Sequence, residues 1–328
     1  MTNDRFLVTG ALGCIGAWTV KLLADEGVPL WTYDLPTSMH RVNLLMNQDS
    51  IAKVNWIQGD ILDRETFETT VVENRITHII HLAALQLPFV RADPIQGAQV
   101  NVVGTGIVLE TCNRHKTQVT SLVYASSAGV YGPAENYPPG PLSHNAPHFP
   151  GSLYGAFKHC NEEQARIYWQ DYQIRSIGLR PYVIYGPGRD QGITSTPSKA
   201  MVAAAAGRSY EISYGGKAVF QYAKDAARAF IQAARANYSG AITYNIGGSN
   251  ATMQEIVHAI TKVVPASIGR ITFKPTSLNI AESVDDSALE AAVGKLSWVP
   301  LEDGVLESIQ IFQNAINQGL LDVDRILL

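Results

Sequence analysis

A tyrosine and a lysine four residues apart, Tyr154 and Lys158, are the side chains of this sequence whose types and spacing first suggest chemistry. On a helix, positions i and i+4 project from the same face, with roughly 5–6 Å between their Cβ atoms. An ammonium group at that separation stabilises a phenolate and so lowers the pKa of the phenol. Such a tyrosine can exchange a proton with a hydroxyl group near neutral pH, although the spacing alone is common by chance in a chain with 14 tyrosines.

A glycine-rich turn near the N-terminus is the second constellation. Phe6 to Thr9 is typical of a strand, and it is followed by Gly10, Gly13 and Gly16 and then by a helical pattern. Glycines in this setting permit a tight turn, close approach of backbone N–H groups to a pyrophosphate, and close packing of helix on strand. The spacing G-x-x-G-x-x-G between a strand and a helix therefore predicts a dinucleotide site.

An acidic residue about twenty residues after the glycines favours NAD over NADP. Asp34 ends a second predicted strand, and a carboxylate there accepts hydrogen bonds from ribose hydroxyls and repels a 2′-phosphate. A turn or helix-capping aspartate is the alternative interpretation. Asp60 follows a third predicted strand and is a candidate for the adenine amino group, with the backbone N–H of Ile61 beside it.

The elements that must position these residues alternate between strands and helices. Strands are predicted at 6–9, 30–34, 54–58, 78–82, 121–125 and 177–180, and helices at about 63–73, 95–115 and 154–172. This alternation predicts an α/β fold, a Rossmann doubly wound parallel sheet with helices on both faces. Residues 1–180 are expected to form an NAD-binding Rossmann domain, to which a strand near 242–246 returns.

Residues 181–328 are expected to form mostly a smaller C-terminal α/β substrate-binding region. A turn-rich exit at 181–188 leads into it, and helices near 198–206, 224–236, 253–263 and 302–317 and a strand near 271–273 follow.

Composition argues against several classes of protein. The net charge of −4 and the lack of a Lys/Arg cluster argue against a nucleic-acid partner. No apolar run approaches the ~20 residues of a membrane span, and the first residues do not resemble a signal peptide, so a cytoplasmic protein with no membrane partner is expected. Cys14, Cys112 and Cys160 have no paired spacing, which predicts neither a disulfide nor a metal site but small buried side chains.

A series of motifs in fixed order makes the sequence resemble the extended short-chain dehydrogenase/reductase superfamily, in its NAD-dependent epimerase/dehydratase group. The motifs are GALGCIG at 10–16, Asp34, GDI at 59–61, HLAA at 81–84, NVVGT at 101–105, YASSAGVYG at 124–132, YGAFK at 154–158 and RPYVIYGPG at 180–188. The resemblance covers nearly the whole chain. It implies a Rossmann domain that binds NAD, a small C-terminal substrate domain, and usually a homodimer built from two helices per subunit.

The resemblance also implies roles for individual residues. Tyr154 would be the catalytic acid/base, Lys158 would hold the nicotinamide ribose and tune Tyr154, and Ser127, rather than Ser126, would hydrogen-bond the reacting oxygen. Asn101 is expected to be structural, with a water relay as the alternative. The residues expected to contact NAD are Gly10, Gly13, Cys14, Ile15, Gly16, Asp34, Asp60, Ile61, Leu82, Ala83, Ala84, Asn101, Tyr154, Lys158, Pro181 and Val183.

Departures from the family pattern narrow the predicted reaction. Ala128 and Gly129 stand where the sugar 4,6-dehydratases have an Asp-Glu pair, and neither can move a proton. Leu179 to Val183 lacks the asparagine of the epimerase motif L-R-Y-F-N, and Ala218 replaces a nucleotide-binding arginine, with Lys217 as a substitute beside it. A 4-epimerase must retain its ketone intermediate while the sugar turns about the nucleotide, so losing the anchor favours release of the ketone as product.

The sequence therefore favours an NAD-dependent oxidoreductase that transfers hydride to or from a secondary alcohol or ketone of a small sugar, polyol or sugar acid. An NAD-dependent (nucleotide-)sugar epimerase is the first alternative, and a non-catalytic NAD-binding protein is the second. The carbohydrate-like substrate is expected to meet Gln86, Ser127, Ala128, His144, Tyr182, Arg189 and Thr194, with Arg91, His148 and Tyr185 as further candidates.

Overall fold

Residues 4–328 are described by the computed structural model, and their strands form three sheets. The strands are β1 (Phe6–Thr9), β2 (Leu30–Asp34), β3 (Asn55–Gln58), β4 (His78–His81), β5 (Ser121–Ala125), β6 (Ser176–Arg180), β7 (Val183–Tyr185), β8 (Tyr210–Ile212), β9 (Lys217–Tyr222), β10 (Ala241–Asn245), β11 (Ser249–Thr252) and β12 (Ile271–Phe273).

Helices connect most of these strands. They are α1 (Cys14–Glu26), α2 (His40–Leu45), α3 (Gln48–Ile51), α4 (Arg64–Glu73), α5 (Leu87–Ala92), α6 (Pro94–Ala98), α7 (Gly104–Arg114), α8 (Leu153–Tyr172), α9 (Thr196–Ala205), α10 (Ala223–Arg235), α11 (Met253–Val263), α12 (Ser287–Val293), α13 (Leu301–Asn317) and α14 (Val323–Leu327).

Seven parallel strands form the central sheet, in the order β10-β6-β5-β4-β1-β2-β3. Side chains of β1 alternate between two apolar cores, since Phe6 and Val8 pack in one and Leu7 in the other. The strand order reverses between β1 and β4, and in open α/β sheets such a reversal leaves a ligand-binding crevice at the carboxyl ends of the strands. The predicted Rossmann doubly wound fold is confirmed.

A smaller layer follows the sixth strand of the chain. It contains the sheet β11-β9-β7, the pair β12-β8, and the helices α9, α11 and α13, which share one apolar core. The chain returns to the large sheet in between, because α10 packs on α1 and β10 pairs with β6. The smaller layer is therefore interrupted by a segment, 223–245, that belongs with the Rossmann sheet.

The segment after Arg180 corrects the sequence interpretation. The sequence predicts a turn-rich exit at Pro181 to Gly188, but Val183–Tyr185 is the strand β7, which pairs in parallel with β9. Its residues Val-Ile-Tyr are β-branched or aromatic and are buried in an apolar core, which favours an edge strand there. The turn begins only at Gly186 and Gly188, whose φ angles of 109° and 87° suit glycine.

Other sequence-based expectations differ in detail. The long helix predicted near 95–115 consists of α6, a π-helical turn at Gln99–Val103 and α7. Cys112 is buried, but Cys160 lies exposed on α8, so the expectation of burial is wrong for that thiol. Within residues 4–328, each helix is too short or too polar to cross a bilayer.

Candidate active site

A cleft of about 750 Å³ lies at the carboxyl ends of the central strands. It is lined by these predicted cofactor residues: Gly10, Gly13, Cys14, Ile15, Gly16, Asp34, Asp60, Ile61, Leu82, Ala83, Ala84, Tyr154, Lys158, Pro181 and Val183. It is also lined by these predicted substrate residues: Gln86, Ser127, Ala128, Tyr182, Arg189 and Thr194. One cavity thus brings together residues from both halves of the chain.

The glycine turn forms one end of this cleft. Gly10 has a φ of +67°, and a Cβ there would stand 2.6 Å from the backbone nitrogen of Ala83. A Cβ on Gly16 would stand 2.1 Å from the carbonyl oxygen of Gly10, so any side chain would separate helix from turn. Helix α1 begins at Cys14 without a side-chain cap, which leaves its first N–H groups for an anion. The turn therefore fits a dinucleotide diphosphate.

Asp34 lies beside this turn, at the end of β2. One of its carboxylate oxygens accepts a hydrogen bond from the backbone N–H of Leu12 and the other from that of Leu35, each at 2.8 Å. Burial raises the pKa of Asp34, against the lowering effect of these two bonds. Each oxygen keeps a lone pair, so the carboxylate suits the ribose hydroxyls that the sequence predicts as its partners.

Ser127, Tyr154 and Lys158 meet where β5 ends and α8 begins. The Nζ of Lys158 lies 5.9 Å from the ring centroid of Tyr154 and donates a 2.7 Å hydrogen bond to the carbonyl of Ala125. Ser127 Oγ accepts a 3.0 Å bond from the N–H of Gly129 and interacts with Tyr154. The hydroxyl, the phenol and the ammonium therefore form one polar group that lines the cleft.

A glycine allows the turn after β5 and α8 to come this close. A Cβ on Gly155 would stand 2.0 Å from the carbonyl oxygen of Gly129. Ser152 caps the helix by accepting a hydrogen bond from the N–H of Gly155. The capped first turn of α8 thereby presents Tyr154 to the end of β5.

Burial is the largest influence on the pKa values of Tyr154 and Lys158. It raises the pKa of Tyr154, although the hydroxyl of Ser127 and the charge of Arg189 act in the opposite direction. It lowers the pKa of Lys158 to about 8, against the attraction of Glu162. The sequence predicts a net lowering of the phenol pKa, but in the folded chain the desolvation of Tyr154 outweighs it. At neutral pH the phenol therefore carries its proton.

A buried ion pair between Glu162 and Arg180 lies one helical turn from Lys158. Glu162, one turn after Lys158 on α8, accepts two hydrogen bonds from Arg180, at 2.8 and 2.6 Å, and a third from Ser126. Arg180 also donates to the hydroxyl of Tyr131 at 2.6 Å. Sequence reasoning missed this network, because a Glu and an Arg on two separate elements give no sign of contact.

The same network explains several predicted residues that lie elsewhere. The carbonyl of His144 and the ring of His148 both bind Arg180, and neither side chain lines the cleft. Asn101 is buried in the π-helical turn, where it exchanges hydrogen bonds with the backbone of Leu85. Tyr185 is buried in the apolar core, and Arg91 is exposed outside the cleft.

Arg189 lines the cleft together with other predicted substrate residues. It donates to Gln86 Oε1 at 3.3 Å and to Thr194 Oγ1 at 3.0 Å, which joins the loop after β7 to the segment after β4. A Cβ on Gly192 would stand 2.6 Å from Gln86 Oε1 and 3.1 Å from Arg189 Nη2, so the chain passes directly over this contact. Tyr182 uses its hydroxyl to bind the carbonyl of Ala281 at 2.6 Å.

Beside the glycine turn lies a second arginine, Arg41, which has an acidic partner and which the sequence reasoning did not identify. Arg41 is the second residue of α2 and forms a 2.6 Å ion pair with Asp190, which also binds His40 at 2.7 Å. Arg41 donates in addition to the carbonyl of Leu12 in the glycine turn. Burial favours the protonated Asp190, but His40 and Arg41 prevail and hold its pKa below the usual value.

Comparison with known proteins agrees with this geometry. The chain is 30% identical to a UDP-glucose 4-epimerase of Mycolicibacterium smegmatis over 94% of its own length and 99% of that protein. It is similar to the structure of Thermus thermophilus UDP-glucose 4-epimerase in complex with NAD, at 26% identity and a TM-score of 0.78, covering 95% and 99% of the two chains. It shares its fold, at 23% identity and a TM-score of 0.82, with a partial consensus L-threonine 3-dehydrogenase, covering 95% of this chain and 100% of that one.

The sequence profile of the NAD dependent epimerase/dehydratase family matches residues 6–247. This range contains the glycine turn, Asp34, Ser127, Tyr154 and Lys158, and the family's dependence on NAD agrees with the cofactor predicted from the first two. The chain belongs to the NAD dependent epimerase/dehydratase family.

Proposed function

We propose that the protein is an NAD-dependent dehydrogenase or reductase of the extended short-chain type, acting on a secondary alcohol or ketone of a small carbohydrate-like substrate. The observation that carries this proposal is the meeting of Ser127, Tyr154 and Lys158 in the same cleft as the glycine turn and Asp34. When bound, NAD supplies the hydride acceptor or donor.

The side chains have separate tasks. Tyr154 moves a proton to or from the substrate oxygen, and the hydroxyl of Ser127 stabilises charge that develops on that oxygen. Lys158 keeps a positive charge near the phenol, and its bond to the carbonyl of Ala125 fixes its position. Because burial raises the pKa of Tyr154, the phenol is ready to donate a proton to a ketone, whereas alcohol oxidation should accelerate as pH rises.

The substrate end supports a small substrate over a nucleotide sugar. Ala218, at the place of the family's nucleotide-binding arginine, is buried, and its neighbour Lys217 is exposed. Among the described residues neither lines the cleft, so Lys217 does not replace the missing anchor there. Without that anchor the ketone is released as product, which is the outcome of a dehydrogenase.

An NAD-dependent sugar epimerase is the second candidate. Several similar proteins, including the one from Mycolicibacterium smegmatis, are UDP-glucose 4-epimerases. An epimerase would use the same Ser127, Tyr154 and Lys158 but would regenerate its cofactor in each cycle. The two activities therefore differ in net NADH formation.

An absorbance screen for NADH tests the proposal across free sugars, polyols, aldonates, uronates and nucleotide sugars. We expect net NADH with at least one small substrate. Inversion of a nucleotide sugar without accumulated NADH would identify the epimerase instead.

Tyrosine variants separate catalysis from passive NAD binding. Tyr154→Phe should lower turnover by about 10²–10⁴-fold, the range typical of a lost acid/base group, and leave NAD affinity nearly unchanged. Tyr172→Phe, an exposed tyrosine on the same helix, is the matched control and should keep full activity. Turnover by Tyr154→Phe equal to that of Tyr172→Phe would exclude the assigned role.

A further inference from the structure

Arg189 is the one cleft-lining cation without an acidic partner in residues 4–328. The cations that line the cleft are Arg41, Lys158 and Arg189. Arg41 is paired with Asp190 at 2.6 Å, and Lys158 is attracted by Glu162. Both hydrogen-bond acceptors of Arg189 are neutral oxygens, which do not offset its charge.

The guanidinium of Arg189 also has donors to spare. It carries five N–H groups, and its bonds to Gln86 and Thr194 use two of them. Its Nε is buried and meets no acceptor in the described chain. A partly desolvated guanidinium with free donors is a strong site for a bidentate anion.

The two neighbours of Arg189 add further donors. A guanidinium cannot accept a hydrogen bond, so the carbonyl oxygen of Gln86 faces Arg189 and its NH₂ group is left for another acceptor. The Oγ1 of Thr194 accepts from Arg189 and keeps its own proton to donate. The guanidinium, the amide NH₂ and the hydroxyl form a cluster of donors around one positive charge.

We propose that this cluster, Arg189 with Gln86 and Thr194, is a carboxylate subsite, and that the substrate is a hydroxy acid of the uronate or aldonate class. The inference rests on the proposed function, because the hydroxyl of the same molecule must reach Tyr154. Arg189 is close enough for its charge to act on the Tyr154 phenol. A single cation and neutral donors suit a singly charged carboxylate better than a diphosphate.

Calorimetric titration of the NAD-loaded Tyr154→Phe protein tests the subsite without turnover. The ligands are hexuronates and hexonates, the methyl esters of the same acids, and hexose phosphates. We expect at least one acid to bind about 30-fold or more tightly than its ester, the range for a desolvated charge pair. Arg189→Met in this background should remove that preference and leave the ester's affinity unchanged.

Two further variants keep the test decisive if Arg189→Met folds poorly. Gln86→Glu places a carboxylate of the protein against Arg189 and should abolish the preference for acids by competing with the ligand. Arg91→Met removes an exposed arginine outside the cleft and should leave the preference intact.

Several outcomes would overturn the subsite: equal affinity for acid and ester, tighter binding of the hexose phosphates, an equal loss for acid and ester in Arg189→Met, or no binding of any acid. These are binding measurements that need no turnover, so they can fail separately from the proposed reaction. Turnover of neutral sugars without acid binding would retain the dehydrogenase and reject the subsite. Arg189-dependent acid binding without Tyr154-dependent turnover would retain the subsite and reject the dehydrogenase.

Discussion

Arg180 precedes β7 in the sequence and Arg189 follows it. The two arginines differ in whether the protein supplies a carboxylate to pair with them. Arg180 is 3% exposed, and its donors go to both oxygens of Glu162, to Tyr131 and to the carbonyl of His144. Arg189 meets only two neutral oxygens and lines the cleft. Where the protein supplies the counter-charge, the arginine stabilises the fold; where it does not, we infer that a ligand supplies it.

The largest expected effect comes from breaking the paired region. Glu162→Gln leaves the buried charge of Arg180 without its counter-ion, and such losses cost about 3–5 kcal/mol of unfolding free energy. Urea unfolding measures this change. Glu163→Gln is the matched control, because its ion pair with Arg166 is exposed and should contribute less than about 1 kcal/mol. Similar losses in the two variants would remove the distinction between the paired and the exposed arginine.

Lys158 is the intermediate case, since its near partner is a carbonyl and Glu162 attracts it from farther away. Its pKa falls from 10.5 to about 8 on folding, so the folded chain holds this proton less readily than the unfolded chain. Below pH 8 the buried charge therefore destabilises the fold, by up to about 3 kcal/mol. Between pH 8 and 10.5 unfolding takes up a proton, and stability rises with pH.

Lys158→Met should accordingly be more stable than the unmodified chain at pH 7, and the advantage should shrink towards pH 10. Urea midpoints at both pH values measure the difference, with Lys21→Met, in an exposed ion pair, as the control. An advantage that grows with pH would contradict the assigned protonation.

A variant beside Arg41 would convert an arginine that is paired with a carboxylate into one that is not. Asp190→Asn removes its counter-charge and frees donors beside Leu12, whose N–H also binds Asp34. A free arginine near the ribose accommodates a 2′-phosphate, so the ratio of NADP to NAD dissociation constants should fall about five- to tenfold. Asp34 still opposes the phosphate and limits the gain.

Fluorescence titration with both cofactors measures that ratio. Asp324→Asn, which breaks an exposed pair with Arg208, should leave it unchanged. An unchanged ratio in Asp190→Asn would show that the counter-ion does not decide what Arg41 binds.

Local spacing accounts for what the sequence could predict. The i,i+4 relation of Tyr154 and Lys158 and the turn at Gly10 to Gly16 depend on backbone geometry over a few residues, and so did the alternation that predicts the parallel sheet. The strand β7 escaped prediction because its three residues lie between prolines and glycines, and only pairing with β9 makes them a strand.

Partners distant in sequence account for the rest. Arg41 and Asp190 are 149 residues apart, and Gln86 and Arg189 are 103 apart. The sequence does not show whether a carboxylate of the protein neutralises an arginine, so it offers both Arg91 and Arg189 as candidates to meet the substrate. His148, in the segment between β5 and α8, is a further example of a distant partner that the sequence does not show. Its ring binds Arg180 and does not line the cleft.

The smallest expected effect is the most direct test of the unpaired region. Arg189→Met deprives no carboxylate of its partner, and it removes an Nε that is buried without an acceptor. The lost bonds to Gln86 and Thr194 are neutral-acceptor bonds that water in the cleft can replace. The unfolding free energy should therefore stay within about 0.5 kcal/mol of the unmodified protein, whereas Arg180→Met, which strands Glu162, should lose several times more. If urea unfolding gives both variants the same large loss, Arg189 is a structural arginine like Arg180, and its free donors do not belong to a ligand.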